Sequence, residues 1–139
     1  MRIHRPVTES LESSSRLQMI DVTSRVQKHL AAAGVRDGLA IVFVPHTTAG
    51  VVLQENADPN TQHDLIRKLE AAIPQLEAFY QHDEGNSDAH VKSALTGNSV
   101  TIPIADGKLL LGRWQAIFFC EFDGPRERRL LLKFLDEGE

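Results

Sequence analysis

The chain has a single cysteine, Cys120, among its 139 residues, so no internal disulfide can form and a reducing compartment, the cytoplasm, is the expected setting. It has no surplus of positive charge. The formal net charge is -4, which argues against the basic face that a nucleic-acid binder needs. Long apolar runs are missing too. No stretch approaches the roughly 20 apolar residues that would span a bilayer, and the opening MRIHRPVTESLESSS lacks the apolar core of a secretion signal. Glycine-rich phosphate loops, internal repeats and low-complexity tracts are likewise absent, which removes nucleotide-loop enzymes and solenoids. What remains is a chain of one-domain length, 1–139, able to bury roughly two thirds of its unfolded surface.

The patterning alternates between helix and strand signals. Residues 2–11 read as an opening strand that Pro6 restricts to an edge. Val22, Val26, Leu30 and Ala33 recur at helical spacing, with Asp21 or Thr23 as the start and Gly34 as the left-handed stop. Leu39 to Val44 is continuously apolar and β-branched, which predicts a strand buried on both faces and ended by Pro45. Val51 to Leu53 resumes extended structure. A second helix, opening at Asn60 or Thr61, carries Leu65, Ile66, Leu69, Ala72 and Ile73 on one stripe and stops at Pro74. Residues 80–90 are a polar loop, after which Asp88 is placed to cap a short helix closed by Gly97. The last third is β. Val100, Ile102 and Ile104 alternate, Asp106-Gly107 signals a type I′ hairpin, and Gly112 suggests a bulge beside Arg113 or Trp114. Trp114, Ala116, Phe118, Cys120 and Phe122 then alternate with a mixed face containing Ile117 and Phe119. A final strand spans Arg128 to Leu135. The sum is an α+β domain, a mainly antiparallel sheet core with two to three helices against it. The mixed face, with Ile117 and Phe119 in need of cover, suggests a subunit contact.

Three polar clusters interrupt this pattern. His46-Thr47-Thr48 sits at the mouth of a strand, where an imidazole is held rigidly; the bland alternative is a histidine satisfied by a turn carbonyl, with threonines that bond locally. His82-Asp-Glu-Gly-Asn-Ser-Asp-Ala-His90 gathers two imidazoles and three carboxylates, the usual donors for zinc and similar divalent ions, although its spacing matches no standard metal motif and a solvated acidic loop is its plain alternative. Trp114-Gln115 and Asp123-Gly-Pro-Arg126 form the third. Arg113 and Arg126 suit phosphate oxygens, with surface ion pairing as their plain alternative, Gln115 requires a polar partner, and Trp114 reads most often as plain core. Arg128 and Arg129 are expected in surface ion pairs. Cys120 reads as a small core hydrophobe rather than a nucleophile. His4, His29 and His63 lie in segments that read as surface, without polar company.

These clusters carry a resemblance. Phe43-Val-Pro-His-Thr-Thr-Ala-Gly50, Gln54-Glu-Asn56, Asp64-Leu65, His82-Asp-Glu-Gly-Asn86, Asp88-Ala-His90, Leu111-Gly-Arg-Trp-Gln115 and Cys120-Glu-Phe-Asp-Gly-Pro-Arg126 resemble, in order, the YjbQ family over about residues 14 to 135. The resemblance implies an α+β fold with a sandwich-like sheet, a homotrimer, and activity as a secondary thiamine-phosphate synthase, which joins a pyrimidine methyl diphosphate to a thiazole phosphate and releases pyrophosphate.

On this reading the partner is a phosphorylated small molecule, with neither nucleic acid nor membrane. The candidate catalytic groups are His46, Thr48, Asn56, Asp88, His90 and Gln115. Arg113, Trp114, Arg126 and Asn86 would bind substrate, and His46, His82 and His90 could hold a divalent metal such as zinc or magnesium. Two other functions fit the same residues: a hydrolase whose metal acidifies a water, and a non-catalytic trimer that holds a small ligand or metal.

Overall fold

Residues 1–138 of the computed structural model are described here. The elements run β1 (Arg2–Ile3), β2 (Val7–Glu12), β3 (Gln18–Asp21), α1 (Thr23–Ala33), β4 (Gly38–Phe43), β5 (Ala49–Glu55), α2 (Pro59–Ala72), α3 (Ser87–Thr96), β6 (Ser99–Ala105), β7 (Lys108–Leu109), β8 (Gln115–Glu121) and β9 (Glu127–Asp136). They form an α+β fold with two antiparallel sheets. The larger has the order β1-β9-β4-β6-β7, with β2 also paired to β9; the smaller has the order β3-β8-β5.

The opening strand breaks at Pro6 into β1 and β2, both on the outer edge of β9. This is where a residue without an N–H can be tolerated. Gly34 ends α1 with φ 70°, and Asp106 and Gly107 turn the β6–β7 hairpin with φ 53° and 74°. Three sequence expectations shift. β4 is not buried on both faces: Ala40 and Val42 are buried while Leu39 and Ile41 are half-covered, because only one side of the large sheet meets the core. Asp58, not Asn60 or Thr61, caps α2, its Oδ1 accepting from the Asn60 N–H at 2.9 Å. Gly112 closes a turn rather than a bulge: the Gln115 N–H donates to its carbonyl at 3.0 Å, and the Gly112 N–H donates to Gln115 Oε1 at 2.8 Å.

The expected subunit contact through β8 is also corrected. Ile117 and Phe119 are fully buried between the sheets with Val26, Leu30, Val42, Ile102, Leu132 and others, so this chain covers them itself. The opposite face, Ala116, Phe118, Cys120 and Phe122, lies under Ala89 of α3 and Leu69 of α2. A strand covered on both sides explains why β8 is apolar at successive positions. Cys120 sits in that second core, where burial pushes its thiol up to about 12.

Candidate functional site

β8 sorts the candidate residues, because its two ends carry different groups about 20 Å apart along a seven-residue strand. At the Glu121 end, the β4–β5 connection brings His46 and Thr48 against β9. The Arg129 backbone N–H donates to His46 Nε2 at 3.1 Å. A backbone amide can only donate, so Nε2 must be the acceptor and the neutral ring carries its proton on Nδ1. Burial first, then the neighbouring Arg128 and Arg129, holds His46 below the usual histidine range. The imidazole is therefore neutral near pH 7, with an Nδ1–H to offer and its lone pair already in use.

Arg128 was expected at the surface but is buried. Its Nε donates to Glu121 Oε1 at 2.9 Å, and Nη2 donates to Glu121 Oε2 and to Thr48 Oγ1, the latter at 2.8 Å. Ser13 donates to Glu121 Oε1 at 2.6 Å. Burial alone would push the Glu121 carboxyl up, yet these donors hold it below the usual range. The sequence carried a signal for this: Arg128 is in phase with Leu130, Leu132 and Phe134, so the β alternation points it inward. Arg128 Nη1 has no hydrogen bond among the described residues. His46 and Arg128 together line two clefts. One, of about 620 Å³, adds Ser10, Arg25 and Arg129; the other, of about 430 Å³, adds Thr47, Asn98 and Arg126.

A second network lies under α3. Asp88 does not cap the helix; Asn86 occupies the cap position, without a side-chain cap bond. The Asp88 carboxylate turns inward, fully buried, accepting from Arg16 Nη2 at 2.8 Å, Arg16 Nη1 at 3.1 Å and Lys92 Nζ at 2.6 Å. Burial would raise its pKa, but the two cations hold it low, and Asp88 in turn raises that of Arg16. Both carboxylate oxygens are thus committed to structural cations. Asn86 Nδ2 donates to Asp123 Oδ2 at 2.8 Å, which also accepts from Arg126 Nη2 at 2.9 Å. Asn86 Oδ1 is buried without a partner. His82 and His90 meet edge to face, their ring centroids 5.3 Å apart. Among the described residues, no three His, Cys, Asp or Glu side chains gather as a metal group within the chain.

At the other end of β8, Asn56, Arg113, Trp114 and Gln115 share a pocket of about 320 Å³ with Asp21 and Thr23. Trp114 is 57% exposed and so is not core. The structure therefore brings the candidates together in three groups: His46 and Thr48 with Arg126, His82 with His90 near Asn86, and Asn56 with the Arg113–Gln115 turn. All three histidines set aside do have carboxylate partners: His29 meets Glu9 at 2.7 Å, His63 meets the adjacent Asp64 at 3.1 Å and His4 meets Asp136 at 3.3 Å.

Fold and site define a two-sheet α+β protein with a neutral histidine at the junction of arginine-lined clefts. The chain belongs to the YjbQ family: the model for UPF0047 protein YjbQ-like matches residues 8–137. It is 48% identical to UPF0047 protein MJ1081 of Methanocaldococcus jannaschii over 127 residues, 91% of each chain. With UPF0047 protein YugU of Bacillus subtilis it shares 41% identity, covering 92% of this chain and 97% of that one. The crystal structure of a YjbQ/UPF0047-family protein from Clostridium acetobutylicum is 47% identical with a TM-score of 0.90, covering 93% of this chain and 99% of that one.

Proposed function

We propose that this chain is a small-molecule enzyme that acts on a phosphorylated substrate at His46, of the thiamine-phosphate synthase kind. The observation that carries the reading is the junction itself: a neutral imidazole with an unpaired Nδ1–H, and Arg128 with an Nη1 unpaired among the described residues, lining the same two arginine-lined clefts. In the coupling, a C–N bond forms to the thiazole nitrogen as the C–O bond to diphosphate breaks. The electron pair leaves with pyrophosphate. Fixed donors aimed at the departing oxygens are what such a step requires, and His46 Nδ1–H, Arg128 and Arg126 are the groups placed to give them. Thr48 holds Arg128 in position. Asp88 serves the framework.

A divalent cation, zinc or magnesium, fits one chain poorly. His46 has its lone pair engaged and Asp88 is consumed by Arg16 and Lys92, which leaves the His82–His90 pair two ligands short of a tetrahedral set. A metal belongs to this proposal with the homotrimer that the resemblance implies, where another copy could supply the missing donors. That pair favours the second reading, a metal-dependent hydrolase.

The test is pyrophosphate release from the pyrimidine diphosphate and thiazole phosphate, followed with and without zinc or magnesium, in the full chain and in His46→Ala. Turnover lost in a variant that melts like the parent supports the reading. Turnover unchanged in His46→Ala overturns it, and metal-dependent phosphate release without coupling transfers the function to the hydrolase.

A further inference from the structure

We propose that the pocket at the Gln115 end of β8 binds a planar nitrogen heterocycle bearing an amino group, stacked on Trp114 and read by Asp21 and Thr23. This does not depend on the reaction assigned to His46. An exposed indole alone would mean little. Here the backbone that carries the indole is fixed, and the ring has directional neighbours. The Trp114 carbonyl accepts the Asn56 N–H at 3.1 Å, and the following residue is tied back to Gly112 by two hydrogen bonds, so the turn carrying the ring is fixed. The Arg113 guanidinium lies over the ring, 4.9 Å from its centroid. That contact occupies the ring electrostatically and disfavours a second cation nearby, so a neutral flat ring is the better guest.

The edge of the pocket supplies polarity in a defined order. Asp21 Oδ1 accepts from the Thr23 N–H at 2.9 Å and Oδ2 accepts from Asn56 Nδ2, yet each carboxylate oxygen keeps a further lone pair for a ligand donor. Thr23 Oγ1 accepts the Ile117 N–H at 2.8 Å, so its own proton is available to give. An acceptor and a donor lining one pocket suit the edge of an aminated heterocycle, in which an exocyclic N–H lies beside a ring nitrogen with a lone pair. At about 320 Å³ the recess is at the small end of ligand sites, the size for one or two fused rings.

Trp114 is the chain's sole tryptophan, so its fluorescence reports on this pocket directly. The full chain is titrated with adenine, with purine, which lacks the amino group, and with hypoxanthine, whose edge has donor and acceptor exchanged. Saturable quenching by adenine is expected, with purine and hypoxanthine about tenfold weaker or worse, the scale set by losing a hydrogen bond to a charged group. Asp21→Asn, which keeps an oxygen to cap Thr23, should abolish the preference for adenine over hypoxanthine. Thr23→Ser should retain it, and His46→Ala should bind adenine like the parent, which separates failure of this proposal from failure of the one at His46. Quenching that does not saturate, equal affinity for all three bases, or a Trp114 emission already typical of a buried ring because another copy covers it would each overturn the assignment.

Discussion

The Arg129 backbone N–H and His46 Nε2, 3.1 Å apart, fix the proton of a neutral imidazole on the nitrogen that faces away from β9. Protonating His46 would oppose an N–H to an N–H and add a third positive charge beside Arg128 and Arg129. His46 should therefore titrate below about 6.5, the ordinary value. In a nuclear magnetic resonance titration, its ring signal should stay that of the neutral Nδ1–H form at pH 7 and begin to move only in more acidic solution. The unfolded chain takes up this proton first, so His46 contributes stability that fades as pH drops through about 6.5 toward the lower folded value.

The two buried carboxylates act at lower pH. Glu121 and Asp88 are held below their unfolded values of about 4.3 and 3.9. Their stabilisation is complete above those values and is lost as pH falls through the depressed folded ones. Melting temperature should thus fall steeply below about pH 4. Glu121→Gln should flatten that acid limb, because the amide no longer takes up a proton on unfolding.

Arg128→Met should cost about 3–5 kcal/mol, since it leaves Glu121 buried without its counter-charge. Chemical denaturation of this variant against Arg129→Met is the measurement. Arg129 is exposed and its side chain should be worth under about 0.5 kcal/mol. The sequence places these neighbours in the same class, as surface charges. Only the inward phase of Arg128 among Leu130, Leu132 and Phe134 distinguishes them.

That case shows what was legible. Alternation, turn residues and helix stops gave the elements and the α+β class, because those signals are local. Tertiary pairing was not legible. Nothing near Asp88 in sequence, apart from Lys92 one turn on, points to Arg16, which is 72 residues away and takes the carboxylate that looked free for chemistry. Likewise Ile117 and Phe119 looked uncovered because the second sheet that covers them is assembled from β4, β6 and β9, distant in the chain. Of the candidate site, the residue types and their clusters were evident, but not that β8 separates them.

Gly50→Ala offers a test of how tightly α3 sits on β5. A Cβ there would lie 2.3 Å from Thr96 Oγ1 and 2.7 Å from the Gly97 carbonyl oxygen, the second a backbone atom that cannot swing away. We expect a loss of about 1–3 kcal/mol, read in the same denaturation experiment, with loosened exchange protection in α3. Gly85→Ala meets no atom within 4 Å and should cost only its backbone strain, φ being 73°.

β8 has helices on one side, a sheet on the other and β3 and β5 along its edges. Such a strand has no freedom to bend, so it works as a fixed ruler between the His46 junction and the Trp114 pocket. Within one chain, occupancy of one end has no lever with which to reshape the other. Two ligands bound at these ends of one chain should therefore ignore each other, which a titration of each in the presence of the other would check.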